Sequence, residues 1–384
     1  MIMKYELDKI IKNKIFLVAS IVSLMVIAGI FLLGYHYSQL TFAEQKNTEK
    51  GYPGFYSEVT NEHAGEFDDQ KVEEILTDFM DRYQSNIESE RPLDVFSWGV
   101  AGVFFPKEED IYLKMNNAME EGEKITFDEI DIPTLEEVGF ANFNTPLNIG
   151  GYNTWGDFFN VTNSLFMLAS LFIIFICSSI FSSEASANIN QLLLSTKYGR
   201  GKLTIAKIIV AIWVSILIFL VIQLISLIFF YTYHGLSGWD ANIQTNFSVM
   251  LYNFPIYMNN FQVYLLVIGV QMIGVLSIIG ITLLISSMTK SPFISLAISL
   301  GIFFVPFLLG KIYQTGIVAK ILNLFPIQNY QVEEMLTKMQ SNTFFFLDSF
   351  IPNIILTIGV ALIIKVVANS ILYFKMKYSQ VKSI

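Results

Sequence analysis

The sequence contains few of the residues that build disulfides and metal sites. Its single cysteine, Cys177, lies inside an apolar run, which excludes an intrachain disulfide. Its three histidines, His36, His63 and His234, are far apart in the sequence, and no group of cysteines and histidines has the spacing of metal ligands. We therefore predict no metal site, and we expect any exported domain to rely on its own hydrophobic core.

Charged residues are also scarce, and they are unevenly distributed. They make up 15% of the 384 residues against 53% hydrophobic residues, and the mean hydropathy of +0.52 is too apolar for a soluble globular chain. Residues 35–160 hold 26 Asp and Glu but 8 Lys and Arg, a net charge of −18, whereas the rest of the chain carries +9. Because Lys and Arg beside membrane helices are retained in the cytoplasm, the acidic segment is predicted to be extracellular.

Six apolar runs are long enough to span a membrane: residues 15–34, 161–181, 205–231, 262–288, 293–309 and 350–374. The predicted fold class is an all-α polytopic membrane protein with six transmembrane helices and a small mixed α/β extracellular domain, residues 35–160, inserted between helices 1 and 2. The Lys-containing segments 1–14, 182–204 and 375–384 then share one side, so both termini are predicted to be cytoplasmic. The outer side would hold a loop without Lys or Arg, 232–261, and an outer or re-entrant segment, 310–349.

Within the acidic domain the pattern predicts two helices and one strand. Six apolar residues recur at helical spacing behind Asp68 and Asp69, which can cap the start of a helix: Val72, Ile75, Leu76, Phe79, Met80 and Tyr83. The apolar run 95–105, closed by Pro106, suits a buried strand, and a second helix is predicted to end near Gly122.

One glycine-rich segment is similar to a nucleotide-binding motif but lacks its key residues. A phosphate-binding P-loop needs a glycine five residues before its Gly-Lys pair and a Ser or Thr directly after the lysine. Around Gly201 and Lys202 these positions hold Thr196 and Leu203. The chain also has no nucleophile elbow and no zincin motif. We therefore expect no enzymatic activity, no catalytic residue and no cofactor in this chain, and no nucleic-acid partner.

Polar residues inside the predicted spans are few, and they form a possible intramembrane polar site: Gln223, Gln271, Lys365 and Asn369. An ionisable group in hydrocarbon costs about 2.5–3.5 kcal/mol on insertion scales, which makes Lys365 a functional candidate. The alternative is that Lys365 snorkels toward the headgroups or packs against Asn369. The predicted spans contain no carboxylate, which argues against an ion-coupled secondary transporter.

The loop between the second and third spans carries the most informative pattern. Its apolar ridge, Leu192 to Leu194, lies beside basic residues, and such a segment can dock in the groove of a partner. A wider pattern extends into both spans: Phe181, Glu184, Leu192 to Thr196, Gly199, Arg200, Leu203 and Lys207. This pattern resembles the permease subunits of type-2 ABC exporters, a superfamily of drug, antimicrobial-peptide, O-antigen and sterol exporters. Residues 5–10 and 322–330 also resemble, respectively, the family's amphipathic N-terminal helix and its Pro-containing segment before the last span.

The resemblance implies a mechanism and partners. Residues 1–14 would form a cytoplasmic amphipathic helix with Glu6 and Lys9 as site residues. Residues 182–204 would form a coupling loop and helix that contacts a separate ATPase through five residues: Glu184, Leu192, Leu193, Leu194 and Arg200. Two ATPase copies would bind ATP and Mg²⁺, and a second permease copy or a homologous permease would complete the pathway. The resemblance implies a bacterial cell membrane and the export of an antimicrobial peptide, drug or other hydrophobic or amphipathic molecule.

Other interpretations compete with this one. Glu184 could be a solvated charge at a helix end, and Arg200 a basic anchor beside a span. The whole chain could be a non-transporting sensor or mechanotransmitter, or an ion-coupled secondary transporter. The count of six spans favours transport over sensing, because ABC-type sensors with a large domain after the first span usually have four.

Overall fold

The structure is a computed structural model that describes residues 2–36, 51–85, 95–196 and 198–378. It contains six helical segments long and apolar enough to cross a membrane, here called spans 1 to 6: Lys14–Tyr35, Tyr152–Ser186, Lys202–His234, Asn260–Met288, Pro292–Ile312 and Phe350–Tyr378. Span 1 ends in a π-helical turn, Leu32–His36, and span 2 comprises two helices, Tyr152–Ser179 and Ser182–Ser186. The chain is therefore an all-α polytopic membrane protein.

The chain folds as two compact units. The first, the membrane unit, comprises Met1–Ile30, Val161–Ile228 and Leu266–Ile384. The second, the inserted unit, comprises Phe31–Asn160 together with Phe229–Leu265. Each unit has buried hydrophobic residues of its own.

The membrane unit contains several short helices besides the spans. The N-terminal helix, Ile2–Ile11, precedes span 1, and the loop helix, Asn190–Ser195, follows span 2. Between spans 5 and 6 the chain forms three short helical pieces: Gly316–Leu322, Pro326–Gln328 and Val332–Lys338. The second and third of these pieces are bonded to the spans through side-chain amides. Gln328 Nε2 donates to the Pro306 carbonyl at 2.6 Å, and the Val332 amide donates to Asn163 Oδ1 at 3.2 Å.

Two glycines of span 4 allow close packing in the membrane unit. A Cβ added at Gly280 would lie 3.1 Å from the Cα of Lys365 in span 6, and one at Gly274 would lie 2.9 Å from the Pro326 side chain. At Gly269 an added Cβ would meet nothing within 4 Å. In a bilayer the hydrophobic effect does not drive helices together, so their association depends on close packing, which small residues allow.

The inserted unit is mostly helical. Its helices are Gly51–His63, Asp69–Ser85, Val95–Phe104, Ile111–Glu121 and Leu135–Val138, with 3-10 turns at Phe127–Glu129 and Ile243–Thr245. Strands β1, Gly65–Phe67, and β2, Leu147–Ile149, pair antiparallel with Glu66 opposite Asn148. Both predicted helices are confirmed, as Asp69–Ser85 and Ile111–Glu121. The Lys71 amide donates to Asp68 Oδ1 at 2.8 Å, and the second helix ends at Gly122 with a left-handed φ of 77°.

The strand prediction for residues 95–105 is wrong, because this run forms the helix Val95–Phe104. Its buried residues recur at helical spacing: Phe96, Ser97, Val100, Ala101 and Phe104. A short, uniformly apolar run has no period that separates a buried strand from a buried helix. Packing against the helix Asp69–Ser85 decides between them.

The segment predicted as an outer loop, residues 232–261, belongs to the inserted unit. The Asn242 amide donates to the Asn148 carbonyl at 2.8 Å, and the Ala141 amide donates to the Tyr252 carbonyl at 2.8 Å. Phe247 is 4% exposed and lies in the same hydrophobic core as Phe67. The segment before span 2 and the segment after span 3 therefore build one hydrophobic core.

Candidate functional site

The centre of the candidate site is Glu184, in the short helix Ser182–Ser186 that ends span 2. The residue is buried, with 5% exposure. Glu184 Oε1 accepts from Lys9 Nζ of the N-terminal helix at 2.5 Å, and Oε2 accepts from Lys207 Nζ of span 3. The interpretation of Glu184 as a solvated charge is therefore wrong. One carboxylate joins three segments of the membrane unit.

Lys207 is the residue that sequence reasoning left out of the site. It is 2% exposed, it bonds to Glu184, and its ammonium lies 5.0 Å from the centre of the Phe181 ring. A buried ammonium needs a partner, since an unpaired charge in a low-dielectric interior is strongly unfavourable. The available signal was an ionisable residue a few positions inside an apolar run.

The loop between spans 2 and 3 is held at its start by the hydroxyl group of Ser286 in span 4. The amides of Phe181 and Ser182 both donate to Ser286 Oγ at 3.1 Å. Ser286 Oγ in turn donates to the Ser178 carbonyl at 2.8 Å. These bonds hold the end of span 2, and with it Glu184, against span 4.

Glu6 is the fourth member of this group, here called the ion cluster: Glu6, Lys9, Glu184 and Lys207. Glu6 is 5% exposed and makes no hydrogen bond or ion pair with any residue that the structure describes. Burial raises the pKa of its carboxyl above the ordinary value, although the nearby charges of Lys207 and Lys9 partly oppose this. The predicted N-terminal residues Glu6 and Lys9 thus lie beside Glu184.

The three leucines of the predicted ridge lie on the loop helix but differ in their exposure. Leu192 is 69% exposed, Leu193 is half-buried and Leu194 is 7% exposed. The exposed Arg200 donates from Nε to the Leu194 carbonyl at 3.1 Å, which holds the end of the loop against the helix. Only Leu192 of the three leucines therefore offers most of its side chain to a partner.

Gly199 is required by a close approach of two backbone segments in this loop. A Cβ at this position would lie 1.7 Å from the Leu193 carbonyl oxygen and 2.9 Å from Thr196 Oγ1. At Gly201 an added Cβ would meet nothing within 4 Å. The loop is thus packed tightly against the loop helix at one glycine and loosely at the other.

The four polar residues of the spans do not form one site. Lys365 and Asn369 line one groove in the membrane unit together with Ile205, Ile208 and Tyr373. Gln271 donates from Nε2 to the Tyr330 carbonyl at 2.9 Å. Gln223 is 2% exposed, and its amide has no hydrogen-bond partner among the residues that the structure describes. The structure brings together Lys365 and Asn369 only.

The inserted unit gathers one group of potential metal ligands that the sequence did not indicate: Glu62, His63 and Asp78. Arg82 lies at both carboxylates, 3.5 Å from Glu62 and in direct contact with Asp78. His63 contacts Asp78 through Nε2 at 3.0 Å and Glu74 through Nδ1 at 3.3 Å. A guanidinium already supplies the positive charge here, so the geometry is that of an ion-pair network. The expectation of no metal site stays a prediction.

Comparison with known proteins identifies the family of this chain. The family model described as ABC-2 family transporter protein matches residues 1–375, which is nearly the whole chain. Searches of curated proteins and of solved structures returned no match. The match covers both units, including the N-terminal helix, the loop with Glu184 and the six spans. The chain therefore belongs to the ABC-2 family of transporter proteins, as a permease subunit of a type-2 ABC transporter.

Proposed function

We propose that this permease couples to a separate cytoplasmic ATPase and exports an amphipathic molecule, such as an antimicrobial peptide or a drug, across a bacterial cytoplasmic membrane. One chain forms half of the pathway. A second copy or a homologous permease and two ATPase copies complete the transporter, and the ATPases hold ATP and Mg²⁺. Both termini and the loop between spans 2 and 3 lie in the cytoplasm, and the inserted unit lies outside.

The observation that carries this proposal is the pair of salt bridges that Glu184 makes, one with Lys9 and one with Lys207. The carboxylate sits between the N-terminal helix, the end of span 2 and the start of span 3. A force applied to the loop after Glu184 would reach span 3 through the buried Glu184–Lys207 pair, because buried, paired charges resist separation, and would reach the N-terminal helix through the half-buried Lys9. This arrangement supports a role for the loop in transmitting ATPase movement to the spans.

The loop presents an apolar surface on which an ATPase would dock. Three side chains near its helix are well exposed: Ile189 at 43%, Leu192 at 69% and Tyr198 at 45%. Lys202 extends over the Tyr198 ring at 4.8 Å, so the apolar surface has a basic border. A groove in a partner recognises this kind of short segment through a few apolar side chains.

Co-purification of the full-length chain with its ATPase tests the proposal. The variant Leu192→Ser removes an exposed apolar side chain from the loop helix, and Leu113→Ser makes the same change at a 55% exposed site in the inserted unit. We expect wild type and Leu113→Ser to retain an ATPase with a Walker A motif, and Leu192→Ser to lose most of it. Equal recovery with both variants would place the contact elsewhere.

ATP hydrolysis in liposomes separates coupling from docking. Glu184→Gln leaves the exposed loop surface unchanged, so we expect the ATPase to bind but its stimulation by substrate to fall. If wild-type membranes yield no ATPase partner under mild detergents, the proposal fails. The chain would then be a stand-alone sensor or carrier.

A further inference from the structure

A cavity of about 240 Å³ lies within the membrane unit beside the ion cluster. The N-terminal helix and spans 1, 2, 3 and 5 all contribute to its wall. One end is polar, with Glu6, Lys9 and Lys207, whereas much of the remaining wall is apolar: Phe16, Phe175, Ile176, Val210, Phe293 and Leu296. A cavity with one charged end and an apolar wall fits an amphiphile.

The group left without a hydrogen-bond donor at the polar end is the carboxyl group of Glu6, although the two acids and two bases of the ion cluster balance in charge. Glu6 is 95% buried and, among the described residues, has no hydrogen-bond or ion-pair partner, although it lines the cavity. Lys9 and Lys207 differ from it, because both ammoniums bond to Glu184. A buried carboxyl group without a hydrogen-bond partner is unfavourable, so the ligand that completes this site brings a hydrogen-bond donor.

The hydroxyl groups of the cavity wall favour the same kind of ligand. Ser178 Oγ donates to the Phe175 carbonyl and Ser179 Oγ donates to the Ile176 carbonyl, each at 2.8 Å. Their protons are therefore engaged, and their oxygens are left as acceptors. An ammonium group, which has three donors and no acceptor, matches a carboxylate and hydroxyl oxygens.

We propose that this cavity binds a cationic amphiphile, with a primary ammonium group on the Glu6 carboxylate and the hydrocarbon chain along Phe16, Phe175 and Leu296. The same chemistry occurs in a long-chain amine and in the ethanolamine headgroup of a lipid. Binding belongs to this chain alone, so it is tested separately from pairing with an ATPase.

Photolabelling of the full-length chain in phosphatidylcholine nanodiscs tests this site. The probe is a dodecylamine that carries a diazirine on its chain, and mass spectrometry locates the label. Unlabelled dodecylamine competes in one series, dodecanoate and dodecanol in two others, and a fourth series replaces part of the phosphatidylcholine with phosphatidylethanolamine. Competition by phosphatidylethanolamine as well as by dodecylamine identifies the lipid as an occupant, and competition by dodecylamine without competition by phosphatidylethanolamine identifies a free amine.

Three variants connect binding to the cavity. Glu6→Gln removes the charge, Leu296→Trp fills the apolar end, and Asp8→Asn removes a carboxylate from the same helix that pairs with Lys12 at 3.4 Å and does not line the cavity. We expect the half-maximal probe concentration to rise about tenfold in Glu6→Gln, as the loss of one charge-assisted hydrogen bond predicts, and to stay unchanged in Asp8→Asn. Leu296→Trp is expected to abolish the label near spans 2 and 5.

Two results would overturn the proposal. One is equal labelling of wild type and Glu6→Gln, and the other is competition by dodecanoate as strong as that by dodecylamine. Thermal unfolding of each variant checks that it is folded. If Glu6→Gln does not fold, Leu296→Trp decides the question, because unchanged labelling in that variant would place the amine outside the cavity.

Discussion

At the residue scale, Glu184 and Lys207 are each unfavourable alone and acceptable together. Their side chains are 6% and 2% exposed, so neither is hydrated in the folded protein. The desolvation of two such charges offsets much of their attraction, and the pair contributes little net stability compared with apolar residues. Its effect is on position, because moving either segment would leave a buried charge without a partner.

A double-mutant cycle at Glu184 and Lys207 measures how strongly each buried charge depends on the other. We expect Glu184→Gln and Lys207→Met each to lower the free energy of unfolding by about 3–5 kcal/mol, because each leaves an uncompensated partner. The combined variant Glu184→Gln with Lys207→Met is expected to lose less stability than the sum of the two single losses. Reversible unfolding in mixed micelles gives the four values.

An exposed ion pair provides the matched control. Glu109 and Lys114 lie 2.5 Å apart with side chains about half exposed. Glu109→Gln is expected to cost less than about 1 kcal/mol, since water screens the pair. A similar cost at Glu184 and at Glu109 would contradict the role of burial.

At the scale of single elements, two pairs of glycines separate close packing from flexibility. The loop after the loop helix contains Gly199, where an added Cβ would collide with the Leu193 carbonyl, and Gly201, where it would meet nothing. Span 4 contains a similar pair, with Gly280 against the Lys365 backbone and Gly269 in open space. In each pair the sequence offers the same residue type and the structure assigns different functions to its members.

The loop pair yields a prediction about the candidate docking surface. Gly199→Ala is expected to destabilise the chain by about 1–3 kcal/mol and to displace the loop helix, because the new methyl group has no space. Gly201→Ala is expected to behave as wild type. Thermal unfolding measures the first effect, and hydrogen exchange of peptides from residues 189–205 measures the second. Equal behaviour of the two variants would show that the loop backbone relaxes freely.

The span 4 pair yields a prediction about helix packing. Gly280→Val places a branched side chain against the backbone of span 6, so we expect a lower unfolding temperature and a cost of about 1–3 kcal/mol. Gly269→Val on the same helix is expected to be nearly neutral. Both variants are compared in the same detergent, and a larger loss at Gly269 would contradict the packing described for span 4.

At the scale of the whole molecule, the stability of the inserted unit depends on pH through one buried histidine. In the inserted unit, His63 is 2% exposed and faces charged groups from two helices: Glu62, Glu74, Asp78 and Arg82. Burial lowers the pKa of His63, but the hydrogen bond and charge of Asp78, together with Glu74 and Glu62, outweigh burial and raise it above its ordinary value of 6.5. The imidazolium therefore joins the helix Gly51–His63 to the helix Asp69–Ser85.

The raised pKa of His63 determines how the stability of the inserted unit changes with pH. The folded state holds the proton more tightly than the unfolded state, so the contribution is complete below the ordinary pKa of 6.5 and is lost as the pH rises through the pKa of folded His63. We expect amide exchange in residues 56–85 to accelerate, beyond the intrinsic change, as the pH rises above 6.5 and through the raised pKa of His63, and His63→Gln to remove this dependence. An unchanged pH dependence in His63→Gln would contradict the assignment to His63.

The sequence by itself determined the six spans, the family resemblance and two helices of the inserted unit. These features follow from local patterns: runs of apolar residues, the period of buried positions, and caps such as Asp68 and Gly122. Glu184 was also chosen from its loop pattern. Local physics is sufficient here because lipid and helix geometry impose the same constraints on every chain.

Only the tertiary structure decided which remote residues meet. It placed Lys9 against Glu184 across 175 positions of sequence, added Lys207 to the site, and put Glu6 beside a cavity with no hydrogen-bond partner among the described residues. It also turned residues 95–104 into a helix and joined the segment 229–265 to the inserted core. These outcomes depend on packing between distant segments. The hydrophobic period of one segment does not show which other segment it will contact.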